Sequence, residues 1–400
     1  MKDPGNKTAL SGQIALLLLL LFMSGRNATA SSFFSQFIDP EDGKFDTSNW
    51  LIDKKGFLPV PILITEPAVG YGAGAALLFF HTKKDNILAN SEINFPKNEE
   101  KKKVSLPPSI SGIAGLGTEN GTWAAGGFHF GSWKQDRIRY TGGAVYPSVN
   151  LTFYGGGDSP IFKNGLDYNL EGWFLFQELV FRIRSSNFFL GPRLIYYNID
   201  STFDLKLPIS GINPWQFNMQ SYGIGIEAAY DSRDNIFTPN TGIHADISSM
   251  YFNVDSEITG SKDYRMTDAK CKIYWRPFSD IVLGWRLHGG FGTGDIPFYA
   301  LPFIDLRGIP ALRYQGEKVL VTEIETRWNV TQRWSLVFFG GVGRTADSSA
   351  EFTDSDDRWA GGTGVRYLIA RLLGLYTGVD IARGPEDWVF YIQVGSAWGR

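Results

Sequence analysis

The chain has 400 residues, a formal net charge of −3, a single cysteine, 46 glycines and 15% aromatic residues. A lone cysteine excludes an internal disulfide framework, and a slightly acidic balance argues against nucleic acid as a partner. Glycine and aromatic residues in this proportion make a strand-and-turn composition. The mean hydropathy of −0.12 would read as soluble, but in a membrane barrel lipid-facing and lumen-facing residues alternate and cancel.

Lys2 and Lys7 precede an apolar run over 15–22, and Ala28-Thr29-Ala30 is a small-x-small cleavage site. This pattern predicts a secretory signal peptide over 1–30. The apolar run is shorter than the ~20 residues a spanning helix needs. The leader carries +2, so its removal takes the chain from −3 to −5. Residues 31–66 read as a short, acidic periplasmic lead-in. Asp39-Pro40-Glu41-Asp42-Gly43 lacks calcium-loop spacing, because glycine stands where the fifth-position ligand belongs and no glutamate closes the loop.

From 67 to 400 the pattern is that of strands at hairpin spacing. Sixteen segments qualify: 68–80, 109–117, 122–132, 137–146, 149–154, 172–183, 188–197, 222–231, 243–252, 264–276, 281–292, 319–329, 333–344, 359–371, 375–383 and 388–398. An even number is what a closed single-chain barrel requires. Segment 149–154 is short, and 188–197 contains Pro192, which costs a ladder bond. Between the first two segments, 81–106 is hydrophilic, with Lys83-Lys84 and Glu99-Glu100-Lys101-Lys102-Lys103. Counted from a first strand at 68–80, it becomes an outer loop that could touch lipopolysaccharide.

The most informative stretch runs from Asp305 to Gly343. A loop carrying Leu306-Arg307-Gly308 leads into a segment with Val319, Val321, Glu323, Glu325 and Arg327 on one side. Leu320, Thr322, Ile324, Thr326 and Trp328 take the other side. An apolar face opposite a charged one fits a barrel wall with lipid outside and a wet lumen inside. The same parity places Arg286, His288, Arg366 and Asp380 in the lumen, with Arg366 and Asp380 pairing across neighbouring strands. It turns Cys271 outward, opposite Lys270 and Lys272. A one-residue slip would carry every charge into lipid, so the register is strongly fixed.

Leu306-Arg307-Gly308, then Glu325-Thr326-Arg327, then Phe339-Gly340-Gly341-Val342-Gly343 together resemble the barrel signature of the BamA/TamA-like surface-antigen superfamily. Tyr230-Asp231-Ser232-Arg233-Asp234-Asn235 through Pro239-Asn240-Thr241-Gly242 is similar to that family's periplasmic turn. The resemblance implies a sixteen-stranded antiparallel transmembrane β-barrel with a short periplasmic N-terminal segment, sited in a Gram-negative outer membrane. It implies that the loop folds into the lumen, with Arg307 and Gly308 at its tip and Glu325 as first partner. Glu323 is the adjacent alternative. The family's second carboxylate would fall at Gly341, where it is missing, which implies a weaker lock. Phe390, Gly395 and Trp398 look like a terminal aromatic signal read by barrel-assembly machinery. The POTRA and lipase domains that accompany some relatives are not expected here.

No catalytic, metal or cofactor set is expected. The four histidines, His81, His129, His244 and His288, show no H-x-x-x-H spacing. Glu227, Asp246, Asp268 and His288 could be arranged as acid and base only on paper. The expected partners are outer-membrane lipid and lipopolysaccharide, and barrel-assembly machinery during biogenesis. The sequence leaves room for a homodimer. The leading expectation is a non-catalytic barrel related to protein insertion and translocation. The alternatives are a passive or structural barrel plugged by the Arg307 loop, and a barrel enzyme acting on lipid.

Overall fold

The structure, a computed structural model, describes residues 36–52, 57–64, 68–81, 107–153, 166–204, 215–257, 260–348 and 350–398. The leader, most of the 81–106 segment and the last two residues lie outside these. The chain divides into Met1–Phe45 and Asp46–Arg400. In the first unit Ile38 bridges Phe45, and Phe37 stacks on Phe45 at 6.0 Å between ring centroids.

The second unit opens with a short helix, α1 (Ser48–Ile52), and continues as a single sheet of sixteen antiparallel strands in sequence order. They are β1 (Leu58–Ile64), β2 (Gly72–His81), β3 (Ser109–Thr118), β4 (Trp123–Trp133), β5 (Ile138–Phe153), β6 (Leu166–Arg182), β7 (Phe188–Asp204) and β8 (Trp215–Asp231). Then follow β9 (Gly242–Ser256), β10 (Gly260–Phe278), β11 (Ile281–Gly294), β12 (Lys318–Asn329), β13 (Trp334–Ala346), β14 (Arg358–Ala370), β15 (Leu375–Arg383) and β16 (Trp388–Val394). The sheet curls into a nearly closed barrel, in which β1 and β16 come within 8 Å of each other. Among the described residues no ladder joins those two strands.

The expected architecture is met, but the count of sixteen was reached through two errors that cancel. β1 lies inside the stretch read as lead-in. Its prolines hide it, since Pro59 and Pro61 demote a strand pattern. Conversely, 137–146 and 149–154 are one strand, β5. Pro147 looks like a break, yet it pairs with Ala124 of β4, and only the ladder to β6 is interrupted there. From β6 onward the ordinal numbers agree.

The extra strand reverses one assignment. The connection bracketed by His81 and Ser109 follows an even-numbered strand, as does the Asp231–Gly242 turn, so both lie at the same end of the barrel. That is the end the sequence reading assigns to the periplasm. The outer-loop and lipopolysaccharide expectations for 81–106 fall, beyond His81, on residues outside the described ones.

Side-chain parity explains the closure. On β12 Ile324 is 59% exposed while Glu323 is 2% exposed. On β8 Tyr222, Ile224 and Ile226 are all exposed, and Glu227 turns inward to Arg193 at 3.0 Å. Cys271 lies on the outward parity of β10, between the inward Lys270 and Lys272. Exposing an inward Arg or Lys to hydrocarbon would cost roughly 2–4 kcal/mol at midplane. The wall is uneven in height: β6, β7 and β8 have 17 residues each, β1 and β16 only 7.

Residues 46–51 pack into the end that holds the Asp231–Gly242 turn. Asp46 is buried, accepts from Arg333 Nη1 at 2.5 Å and from the Arg371 backbone N–H at 2.9 Å. Leu51 joins an apolar cluster with Leu58, Phe80, Ile110, Leu373 and Leu375. Arg327 reaches from β12 to the Pro239 carbonyl and the Asn240 side chain, so the same end is braced from the lumen.

Candidate functional site

The loop between β11 and β12 spans 295–317 and returns into the lumen. Its first half carries Phe298 and Tyr299, which pack on aromatic residues of the inner wall. Tyr299 Oη lies 3.1 Å from Tyr197 Oη, and Phe298 meets Tyr168 edge-on at 5.1 Å. Its second half carries Leu306-Arg307-Gly308.

Arg307 is held at three carboxylates from two separate parts of the wall. Its Nε and Nη2 donate to Glu323 Oε1 at 2.9 and 2.8 Å. Nη2 also lies 2.7 Å from Glu325 Oε2. Nη1 donates to Asp380 Oδ2, on β15, at 2.9 Å. The guanidinium sits 3.5 Å above the Phe339 ring. Burial opposes the charge on Arg307, but Glu323, Glu325 and Asp380 outweigh it, and the guanidinium is held above its ordinary value. The planar fork suits this bidentate task where a lysine would not.

The carboxylates are shared with further cations. Asp380, 0% exposed, takes Arg366 Nη1 and Nη2 at 2.5 and 2.8 Å. Arg286 Nε lies 3.5 Å from Glu323 Oε2, and Arg286 Nη1 donates to Asp305 at 3.2 Å. Three arginines thus meet Glu323, Glu325 and Asp380, and the cluster is close to neutral. His288 stands apart, at 2.7 Å from Asp268.

The expected weakness at Gly341 is not what the geometry shows. Asp380 supplies a carboxylate from another strand. Gly341 is empty for a different reason: a Cβ there would lie 2.7 Å from Leu306 Cδ2 and 2.6 Å from the Thr322 carbonyl. Gly343 does the same for Ile304, at 2.5 Å. The two glycines form a floor on which the loop's apolar side chains sit. Gly308, at φ +100°, takes a backbone shape that favours glycine and donates its N–H to Tyr391 Oη at 2.9 Å.

Trp398 corrects the reading of the chain's last strand. Phe390 is outward and 52% exposed, but Trp398 is 4% exposed and points into the lumen. β16 stops at Val394, and Gly395, at φ +82°, turns the chain inward. The Ser396 N–H then bonds the Phe237 carbonyl at 2.6 Å. Trp398 Nε1 donates to Glu323 Oε2 at 2.7 Å, and Lys272 Nζ donates to the Trp398 carbonyl at 2.6 Å. The alternation pattern held only while the strand lasted, and the left-handed glycine was the missed signal.

One polar trio on the outer wall was also missed. Ser111 Oγ lies 2.8 Å from His81 Nε2 and 2.9 Å from His129 Nδ1. Among the described residues no carboxylate bonds either ring, which separates this trio from a serine–histidine–acid triad. Its members come from three strands, so no spacing in the sequence announces them.

No family model matches the sequence, and no curated protein sequence matches it. Solved structures do. BamA from Haemophilus ducreyi lacking POTRA domains 1–3 matches with a TM-score of 0.50 at 10% identity, over 93% of this chain and 83% of that one. CdiB from Acinetobacter baumannii matches with a TM-score of 0.51 at 10% identity, over 84% of this chain and 59% of that one. The fold is that of BamA- and CdiB-type outer-membrane barrels.

Proposed function

We propose that this chain is a non-catalytic barrel of the bacterial outer membrane, acting in outer-membrane biogenesis or transport as BamA/TamA-like barrels do. The observation that carries the reading is Arg307, drawn into the lumen and held between Glu323, Glu325 and Asp380. A loop that crosses the channel and is fixed there by a buried ionic cluster fills lumen that a wide, freely open pore would leave to water. Among the described residues no ladder joins β1 and β16, which supports the same reading, since the described strands leave a place where the wall can part without breaking a ladder.

A second reading is a static, plugged barrel. Asp46 and α1, packed into one end, favour it. Depletion followed by profiling of outer-membrane proteins and lipids separates the two. The first reading expects specific outer-membrane proteins or lipids to fall, with wild type restoring them and Arg307→Ala failing to. An unchanged profile on depletion would leave only the static barrel.

A further inference from the structure

We propose that His81, Ser111 and His129 form a site on the outer wall for the phosphate of a membrane phospholipid, and that uptake of a proton by the trio switches it on. The three side chains come from β2, β3 and β4 and share the outward parity of Phe79, Ile113 and Trp133. Ser111 Oγ bridges His81 Nε2 and His129 Nδ1. His81 is exposed, and the other two are half-buried.

The hydrogen-bond inventory fixes what the trio shows to its surroundings. A serine hydroxyl has a single proton to give, and a neutral imidazole a single N–H. With both rings neutral, one ring donates to Oγ and the other accepts from it. The donating ring is then bare at its far nitrogen, and the accepting ring carries its N–H there. These far nitrogens, His81 Nδ1 and His129 Nε2, have no hydrogen-bond partner among the described residues. The neutral trio therefore turns a donor and an acceptor outward. A proton added to the bare nitrogen makes both far positions donors and brings a positive charge, with the serine link intact. Two N–H donors on a charged group suit the oxygens of a phosphodiester. Histidine changes charge between pH 5 and 8, so the change needs no extreme condition.

The position of the trio names the occupant. His129 lies 6.2 Å from the Trp133 ring and 6.0 Å from the Tyr140 ring, and those two rings stack on each other. The Tyr140 hydroxyl donates to Gln177 on β6. Around the same end of the barrel Phe188, Trp275, Trp328 and Trp334 are exposed and continue the aromatic row. Such rows mark headgroup level in a membrane barrel. The trio thus meets phosphates rather than acyl chains. Among the described residues no acidic side chain shares this part of the outward face on β2 to β6. Its titratable neighbour on β5 is Tyr140, and Lys134 and Arg137 are exposed in the adjoining turn. Nothing described there opposes an anion.

This inference rests on the membrane placement proposed above. Nitrogen NMR of the full barrel, labelled at its four histidines and held in phosphate-free maltoside micelles, tests it. Adding phosphatidylglycerol should shift the His81 and His129 signals and move their titration to higher pH, because a bound anion favours the charged ring. The inward His244 and His288 should not respond. His81→Gln with His129→Gln should weaken the apparent affinity for phosphatidylglycerol about tenfold or more. Silent His81 and His129 signals in the wild type would overturn the site, whether or not the double variant folds. An equal response to phosphate-free diacylglycerol, or to inorganic phosphate at the same concentration, would overturn it too. A barrel that stays folded in buffer without detergent would instead defeat the membrane placement, and the site with it.

Discussion

Trp398 and Arg307 share one carboxylate: the indole N–H reaches Glu323 Oε2 at 2.7 Å while the guanidinium occupies Oε1 at 2.8 and 2.9 Å. The segment that follows β16 and the loop that precedes β12 are therefore tied to the same side chain. Each partner orients the carboxylate for the other, so the two contacts should not be independent.

Trp398→Phe keeps the ring and removes the donor. A hydrogen bond to a charged group contributes about 1.5–3 kcal/mol, and the variant should lose that much. Thermal unfolding followed by heat-modifiable gel mobility checks it. The double variant with Arg307→Ala should lose less than the two singles together. Strict additivity would mean that Glu323 does not couple the two segments.

Arg307→Ala removes the one cation that, among the described residues, touches all three carboxylates. Breaking a buried pair from one side typically costs 3–5 kcal/mol, because the other side keeps its charge. The β-ladders do not run through the loop, so the barrel should assemble. The loop should become open to protease, and Arg307→Lys should restore little of its protection, since an ammonium cannot span Glu323 and Asp380 as a fork does. A wild-type loop already open to protease would contradict the arrangement.

Gly341→Val tests the floor beneath the loop. The added side chain faces Leu306 and the Thr322 carbonyl at under 3 Å. β13 itself favours valine, so the strand should tolerate the change while Leu306 is displaced. Proteolysis within 295–317 should rise as it does for Arg307→Ala, with every charge still present. A protected loop would show that the wall yields instead.

Much of this was legible in the sequence, and the limits are physical. Period-two alternation exposed the wall from β6 onward because lipid outside and charge inside enforce it. It failed at β1 and β5, where proline looks like a terminator although it removes bonds on only one side. Arg307, Glu323 and Glu325 were readable because they are close in sequence. Asp380 was readable as an inward charge but not as a partner of Arg307, since strand parity says nothing about which loop reaches it. Trp398 was misplaced because alternation cannot see where a strand ends.

Asp46 was invisible as a partner because it lies 287 residues from Arg333. It carries the last prediction. The carboxylate accepts from Arg333 and from the Arg371 backbone, and Thr47 and Ser48 add bonds to Ile369 and Leu372. These contacts fix Leu51 in the apolar cluster that fills this end of the barrel. Asp46→Ala removes the carboxylate paired with the buried Arg333 and leaves the guanidinium its neutral Leu368 carbonyl, which should cost about 3–5 kcal/mol. Asp46→Leu with Arg333→Met removes both charges and should recover most of it, because a buried pair is often no more stable than apolar residues of similar volume. The stability loss should appear together with conductance in planar bilayers, since residues 46–51 would no longer be anchored. Arg307→Ala added to Asp46→Ala should raise conductance further, as the loop no longer fills the other part of the lumen. A stable Asp46→Ala protein with no added conductance would show that α1 decorates this end rather than closing it.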